Sequence, residues 1–130
     1  MTAIYLDTSA LGRILLGEPA APAVLHALGP FPQRVASRLL RVELRRLALR
    51  QRVLADAAEL LETVALVPID RAVLDRAETI DPPSLGTLDA IHLVTALRLA
   101  EEGVLDTIVT YDERLARAAR HHGLSTLSPG

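Results

Sequence analysis

The chain has no cysteine, no lysine and no tryptophan, and only three of its 130 residues are aromatic: Tyr5, Phe31 and Tyr111. Each absence excludes something. Without cysteine there is no disulfide and no thiolate metal site. Without lysine there is no P-loop lysine, no Schiff-base chemistry and no lysine partner for a phospho-acceptor aspartate. All 14 basic residues are therefore arginines, a bias that a GC-rich genome produces without any functional demand. With so few aromatics, the core must be built from leucine, alanine, valine and isoleucine. No apolar run approaches the roughly 20 residues needed to span a bilayer. The opening segment lacks a basic start and meets Asp7 too early for a secretory leader. The expectation is one soluble, cytoplasmic domain over residues 1–130 with no membrane partner. A net charge of −2 exerts no global pull toward nucleic acid.

What is present is an alternation of short apolar runs and helical periods. Residues 3–6 predict a strand and 9–16 a helix ended by Gly17; Glu18-Pro19 opens a second helix, stopped by Gly29-Pro30. Residues 34–36 read as a weak strand, and Ser37 as the N-cap of a long helix over 38–50, followed by a shorter one over 54–62. Residues 64–67 form a strand that Pro68 ends. Asp70 caps a helix over 71–79, and Asp81-Pro82-Pro83 forces a loop. Residues 85–100 read as one helix, apolar on most of its circumference and hence central. A strand over 107–110, a helix opened near Asp112 and closed by Gly123, and an edge strand over 124–127 complete the chain. Strands alternating with helices predict an α/β sandwich on a mainly parallel sheet.

Four acids interrupt this pattern. Asp7 ends the first strand in "YLDTSAL", either as the N-cap of the next helix or as a ligand at the edge where open α/β sheets place their sites. Glu43, in "SRLLRVELRR", lies three or four residues from Leu39, Leu40 and Leu47, on or beside the apolar stripe. A charge there needs an arginine, a cation or an escape to the helix edge. Asp89 breaks the small and apolar run of "LDAIHLVTAL", where aspartate is a poor interior residue; the alternative is a later helix start that puts it in the first turn, where it suits the dipole. His92, one turn on, reads as a supporting core residue rather than a ligand. Asp112, in "VTYDERLARAA", repeats the geometry of Asp7 and again has an N-cap alternative. Asp106 precedes the same strand and falls at the opposite end of the sheet.

Acids gathered in this way cannot all stay charged without a cation. All-oxygen ligation favours Mg²⁺, with Mn²⁺ as a substitute, over zinc. The matching chemistry is metal-assisted phosphodiester hydrolysis. Only the parallel sheet brings the four together; their spacing in sequence does not.

As a set and in this order, the four quoted segments resemble the signature segments of PIN-domain ribonucleases, and among them the VapC toxins of bacterial type II toxin–antitoxin systems. The resemblance covers essentially the whole chain. It implies a three-layer α/β/α fold, with Asp7, Glu43, Asp89 and Asp112 around one or two Mg²⁺ ions and Thr8, Ser9 and Thr110 as polar support. It also implies cleavage of structured transfer or ribosomal RNA, inhibition of translation, a homodimer, and silencing by a VapB-like antitoxin. Arg38, Arg41, Arg45 and Arg52 are candidates for RNA phosphates, against the alternative of a solvated helix face. With so few aromatics to stack bases, recognition should rest on RNA shape and backbone. The leucine and alanine of helices 9–28 and 38–62 predict an apolar patch that a two-fold homodimer would cover.

Rivals fail on particular residues. A haloacid-dehalogenase-type phosphatase needs a second aspartate where Ser9 stands, and it needs a lysine. A response regulator lacks its lysine too. A PIN-type nuclease of RNA or DNA processing would share the acids, and a non-catalytic binding module would use them only as caps.

Overall fold

Four consecutive residues, Ala3–Leu6, form the first strand (β1), and all four are buried. A strand sends alternate side chains to opposite faces, so one short run seeds two cores. Ile4 and Leu6 point to one side of the sheet, and Ala3 and Tyr5 to the other.

The computed structural model describes residues 3–130, so the first two residues of the expected domain lie outside the described part. After β1 come α1 (Thr8–Leu15), α2 (Ala21–Leu28), β2 (Gln33–Ser37), α3 (Arg38–Gln51), α4 (Leu54–Leu61) and β3 (Ala65–Val67). The chain continues through α5 (Arg71–Ala77), α6 (Thr87–Glu101), β4 (Thr107–Val109), α7 (Glu113–His121) and β5 (Ser125–Leu127). The strands form one sheet in the order β3-β2-β1-β4-β5, and every pairing is parallel. Helices α1–α4 pack on one face through Leu11, Val24, Leu40, Leu44 and Ala57. Helices α6 and α7 pack on the other through Leu93, Ala96, Leu115 and Ala119. Helix α5 lies against α6 through Val73, Ile91 and Val94. This is the expected three-layer α/β/α sandwich.

The order reverses direction at β1. The chain first builds outward through β2 and β3, then returns to place β4 on the other side of β1. That is a topological switch point, and the crevice outside the carboxyl ends of the two strands is where such sheets bind ligands. Asp7 and Asp112 follow β1 and β4 at this place. Backbone bonds continue the pairing up to it, from Asp7 N–H to Val109 O at 3.0 Å and from Thr110 N–H to Leu127 O at 3.0 Å.

Two helix starts depart from expectation by two residues or more. Helix α2 begins at Ala21 with Pro22 in its first turn, because Glu18 O accepts the Ala21 N–H in a turn that takes up Pro19. Helix α6 begins at Thr87 after Gly86, so Asp89 occupies its first turn rather than its interior. When ionised there, it complements the exposed N–H groups of the helix end. No helix among the described residues is long and apolar enough to cross a membrane.

Leu44 is fully buried next to Glu43 on α3, whereas Leu49, on the same helix, is half exposed. Leu44→Ala should therefore lower unfolding stability by about 2–5 kcal/mol. Leu49→Ala should change it by no more than about 0.5 kcal/mol. Urea unfolding of the two variants beside the parent checks the assignment of this helix face.

Candidate active site

The residues at the switch point are held by short hydrogen bonds whose donors come from four different elements. Asp7 is the N-cap of α1. Its Oδ2 accepts from Ser9 Oγ at 2.7 Å, Thr110 Oγ1 at 2.9 Å and, more weakly, Ser9 N–H at 3.4 Å. Its Oδ1 lies 3.7 Å from His92 Nε2. Asp112 caps α7 in the same manner, its Oδ1 accepting from the N–H groups of Arg114 and Leu115 at 2.9 and 3.2 Å. The Asp112 N–H in turn donates to Thr110 Oγ1 at 3.0 Å. The Tyr111 N–H donates to Ser9 Oγ at 2.8 Å, and Arg13 stacks 4.0 Å over the Tyr111 ring. These contacts tie the start of α1 to the turn after β4.

Glu43 reaches the same region from α3, through one oxygen. Its Oε1 accepts from Thr8 Oγ1 at 2.7 Å and lies 2.7 Å from His92 Nε2. Partial burial alone would raise its pKa, but the hydrogen bonds from His92 and Thr8 outweigh that and hold the carboxyl below its usual range. Asp89 is the opposite case. Burial pushes its pKa up to about 7, assisted by the charge and close approach of Asp112 and by the charge of Asp7. Asp89 and Asp112 thus form a like-charge pair in which a proton is retained near neutrality.

All four candidate acids therefore meet at the carboxyl end of the sheet, Asp7 with Glu43 through His92 and Asp89 with Asp112. No arginine side chain among the described residues forms an ion pair with any of them. As the side chains stand, no three acidic or imidazole groups among the described residues close around one point tightly enough to hold an ion. The donor chemistry nonetheless fits a hard divalent cation: Asp7, Glu43 and Asp112 are each anchored through one oxygen and leave the other for a ligand. The acids lie beside the larger clefts, not inside them. One of about 640 Å³ runs between α5 and the start of α6, lined by Leu74, Ile80, Pro83 and Ile91.

Thr8, Ser9 and Thr110 all contact the carboxylates directly, and His92 is buried against Glu43. Arg38, Arg41 and Arg45 line a shallow cleft on the outer side of α3 with Val42, Leu49 and Leu54. Arg52 stands apart. It is the left-handed C-cap of α3, nine residues and so roughly 13 Å along the axis from Glu43.

Tyr5 escaped the sequence reading. Its hydroxyl lies 2.8 Å from His92 Nδ1 and accepts the Ser37 N–H at 3.0 Å. Burial pushes the phenol pKa far up, with the charges of Asp7 and Glu43 adding to the effect, so it stays protonated. The available signal was a tyrosine in an otherwise aliphatic strand, since a buried hydroxyl needs a partner.

Comparison with known proteins places this geometry. The PIN domain model matches residues 4–121. Ribonuclease VapC46 of Mycobacterium tuberculosis is 39% identical over 131 residues, covering 99% of each chain. Ribonuclease VapC47 of the same species is 39% identical over 134 residues, covering 98% of this chain and 97% of its own. Among solved structures, a toxin–antitoxin complex from Klebsiella pneumoniae superimposes with a TM-score of 0.70 at 20% identity, over 87% of this chain and 89% of that one. Mycobacterium tuberculosis VapC20, described as a sarcin–ricin-loop-cleaving toxin, does so with a TM-score of 0.69 at 17% identity, over 88% and 94%. The two structures share the fold. The sequence relatives, aligned almost from end to end, say more: the chain belongs to the PIN-domain family, in its VapC branch.

Proposed function

We propose that residues 1–130 form a single endoribonuclease domain whose Asp7, Glu43, Asp89 and Asp112 hold Mg²⁺, or Mn²⁺ in its place. The observation that carries this reading is the meeting of four carboxylates from separate segments at the switch point, with no arginine to neutralise them. A bound divalent cation would offset the charge developing on a phosphodiester and lower the pKa of an attacking water. The chain's own residues prepare the place. Ser9 and Thr110 fix Asp7, Thr8 and His92 fix Glu43, and the first turn of α7 fixes Asp112. Asp89 keeps its proton near neutrality while no cation competes for it and must release it to act as a ligand.

The name ribonuclease carried by the sequence relatives supports RNA cleavage, and we read the chain as a toxin acting on structured RNA such as transfer or ribosomal RNA. It would inhibit translation in the cytoplasm and be restrained by a VapB-like antitoxin. Arg38, Arg41 and Arg45 are exposed or half-buried beside the helix that carries Glu43, a placement that supports contacts to RNA phosphates. Leu25, Val42 and Leu49 are each about half exposed, which supports a protein partner on the α2–α4 side. We assign that apolar surface to a two-fold homodimer, with a separate groove for the antitoxin. Light scattering at micromolar concentration should then return twice the monomer mass; a monomer throughout that range would remove the dimer.

RNA cleavage with and without EDTA tests the chemistry. The parent should cleave in Mg²⁺ and stop in EDTA. Asp7→Asn and Asp89→Asn should lose activity by orders of magnitude. If Asp7 were only a cap, Asn would serve almost as well, and only Ala would cost about 0.5–2 kcal/mol of stability. Undiminished cleavage by the parent in EDTA would end the metal reading. Equal cleavage by parent and Asp89→Asn would end the assignment of Asp89.

Asp89 also sets a pH dependence for the metal-free protein. Its folded pKa of about 7 lies above the ordinary 3.8. Between those values the native state binds more protons than the unfolded state, so unfolding stability falls as pH rises through the window. Thermal melts in EDTA should therefore show the parent losing stability from acid toward neutral pH. Asp89→Asn should flatten that slope and melt higher at neutral pH. An unchanged slope would show that Asp89 titrates normally.

A further inference from the structure

The proposed site leaves open why Tyr5 stands where any aliphatic residue would fill the core. Tyr5 and His92 are both fully buried and meet edge to face. Both imidazole nitrogens have partners: Nδ1 faces Tyr5 Oη at 2.8 Å and Nε2 faces Glu43 Oε1 at 2.7 Å. A neutral imidazole has one N–H and one acceptor nitrogen, and its partners decide which is which. Glu43 is an acceptor, so its nitrogen must carry the proton. Tyr5 Oη already accepts the Ser37 N–H, and its own proton is left to fill the acceptor at Nδ1.

We infer that Tyr5 is a positioning residue: its hydroxyl, donating to Nδ1, orients the His92 ring so that Nε2–H clamps Oε1 of Glu43 and leaves Oε2 for the cation. The inference rests on the metal site proposed above. The opposite tautomer would set a nitrogen lone pair against a carboxylate oxygen at 2.7 Å, a repulsive contact in a buried place. The Ser37 N–H that anchors the phenol belongs to the N-cap residue of α3, the helix that carries Glu43. The relay therefore fixes the imidazole and the helix relative to each other. Partners that orient a ligand in this way typically contribute 10–100-fold in metal affinity.

The first test needs no cation. Long-range ¹H–¹⁵N NMR of the metal-free full chain at neutral pH should show, for the resonances lost in His92→Gln, an unprotonated Nδ1 and a protonated Nε2. The competing arrangement turns the Tyr5 proton toward the neighbouring Thr95; a protonated Nδ1 would reveal it and overturn the inference. The second test is Mn²⁺ titration by calorimetry. Tyr5→Phe, which removes only the hydroxyl, should weaken Mn²⁺ binding about 10–100-fold. His92→Gln breaks the same relay and should weaken binding at least as much as Tyr5→Phe, and adding Tyr5→Phe to it should change little further. An equal loss from Tyr5→Phe in both backgrounds would mean a purely structural role, and unchanged affinity in Tyr5→Phe alone would equally overturn the inference. Failure of the metal site itself looks different, since the parent would then bind no Mn²⁺ before any substitution is made, and the positioning role would fall with it.

Discussion

The electrostatic cost of gathering carboxylates at one sheet edge governs the arrangement around it. Two of the four acids are settled by strand ends that the reversal of strand order brings side by side, and two arrive on helices from opposite faces of the sheet. A like charge this close favours the protonated form, as Asp89 shows beside Asp112. The chain answers with short hydrogen bonds from three hydroxyls, one imidazole and the first N–H groups of two helices. Arginine would have answered more strongly, and 14 are available, yet the contacts to these acids go to serine, threonine and histidine. A neutral donor orients a carboxylate without cancelling its charge, and so leaves it able to attract a cation.

The same economy runs through the core. Ile4 and Leu6 serve one face of the sheet and Ala3 and Tyr5 the other, which lets four residues of β1 hold both helical layers. Tyr5 adds a polar function at no loss of packing, since its ring fills the core while its hydroxyl finds Ser37 and His92. The site thus begins inside the core at Tyr5 and ends at the sheet edge at Asp7, two residues later on the same strand.

The fold was legible because its signals were local. Pro68, Gly123 and the cap residues Ser37, Asp70 and Asp112 mark boundaries by their own backbone chemistry, and the alternation of strands and helices dictates a parallel sheet. The errors were local as well. Pro19 looked like a helix start because Pro suits a first turn, but Pro22 fills that role. The candidate acids could be nominated from the chain because each breaks an apolar pattern. The links between them could not, since Tyr5 to His92 and His92 to Glu43 are separated by 87 and 49 residues. Nor could the helix axis be read closely enough to see that Arg52 lies at the far end from the acids.

Asp7 and Asp112 pose a choice between cap and ligand in the sequence; both are caps, and capping does not exclude the ligand role proposed for them. A cap consumes one carboxylate oxygen on the helix N–H groups, as Asp112 Oδ1 does with Arg114 and Leu115, and it fixes the side-chain rotamer in doing so. The second oxygen is left without a helix N–H and free for another partner. In the proposed function a capping aspartate at a switch point would be a preorganised ligand, and the two strand–acid–helix segments would supply half of the metal site by the same rule that starts their helices. Glu43 has no cap to aim it, and here Thr8 and His92 take the place of the helix N–H groups on one oxygen. Asp89, in the first turn of α6, is the acid without such a donor among the described residues, and it is also the one whose proton affinity rises.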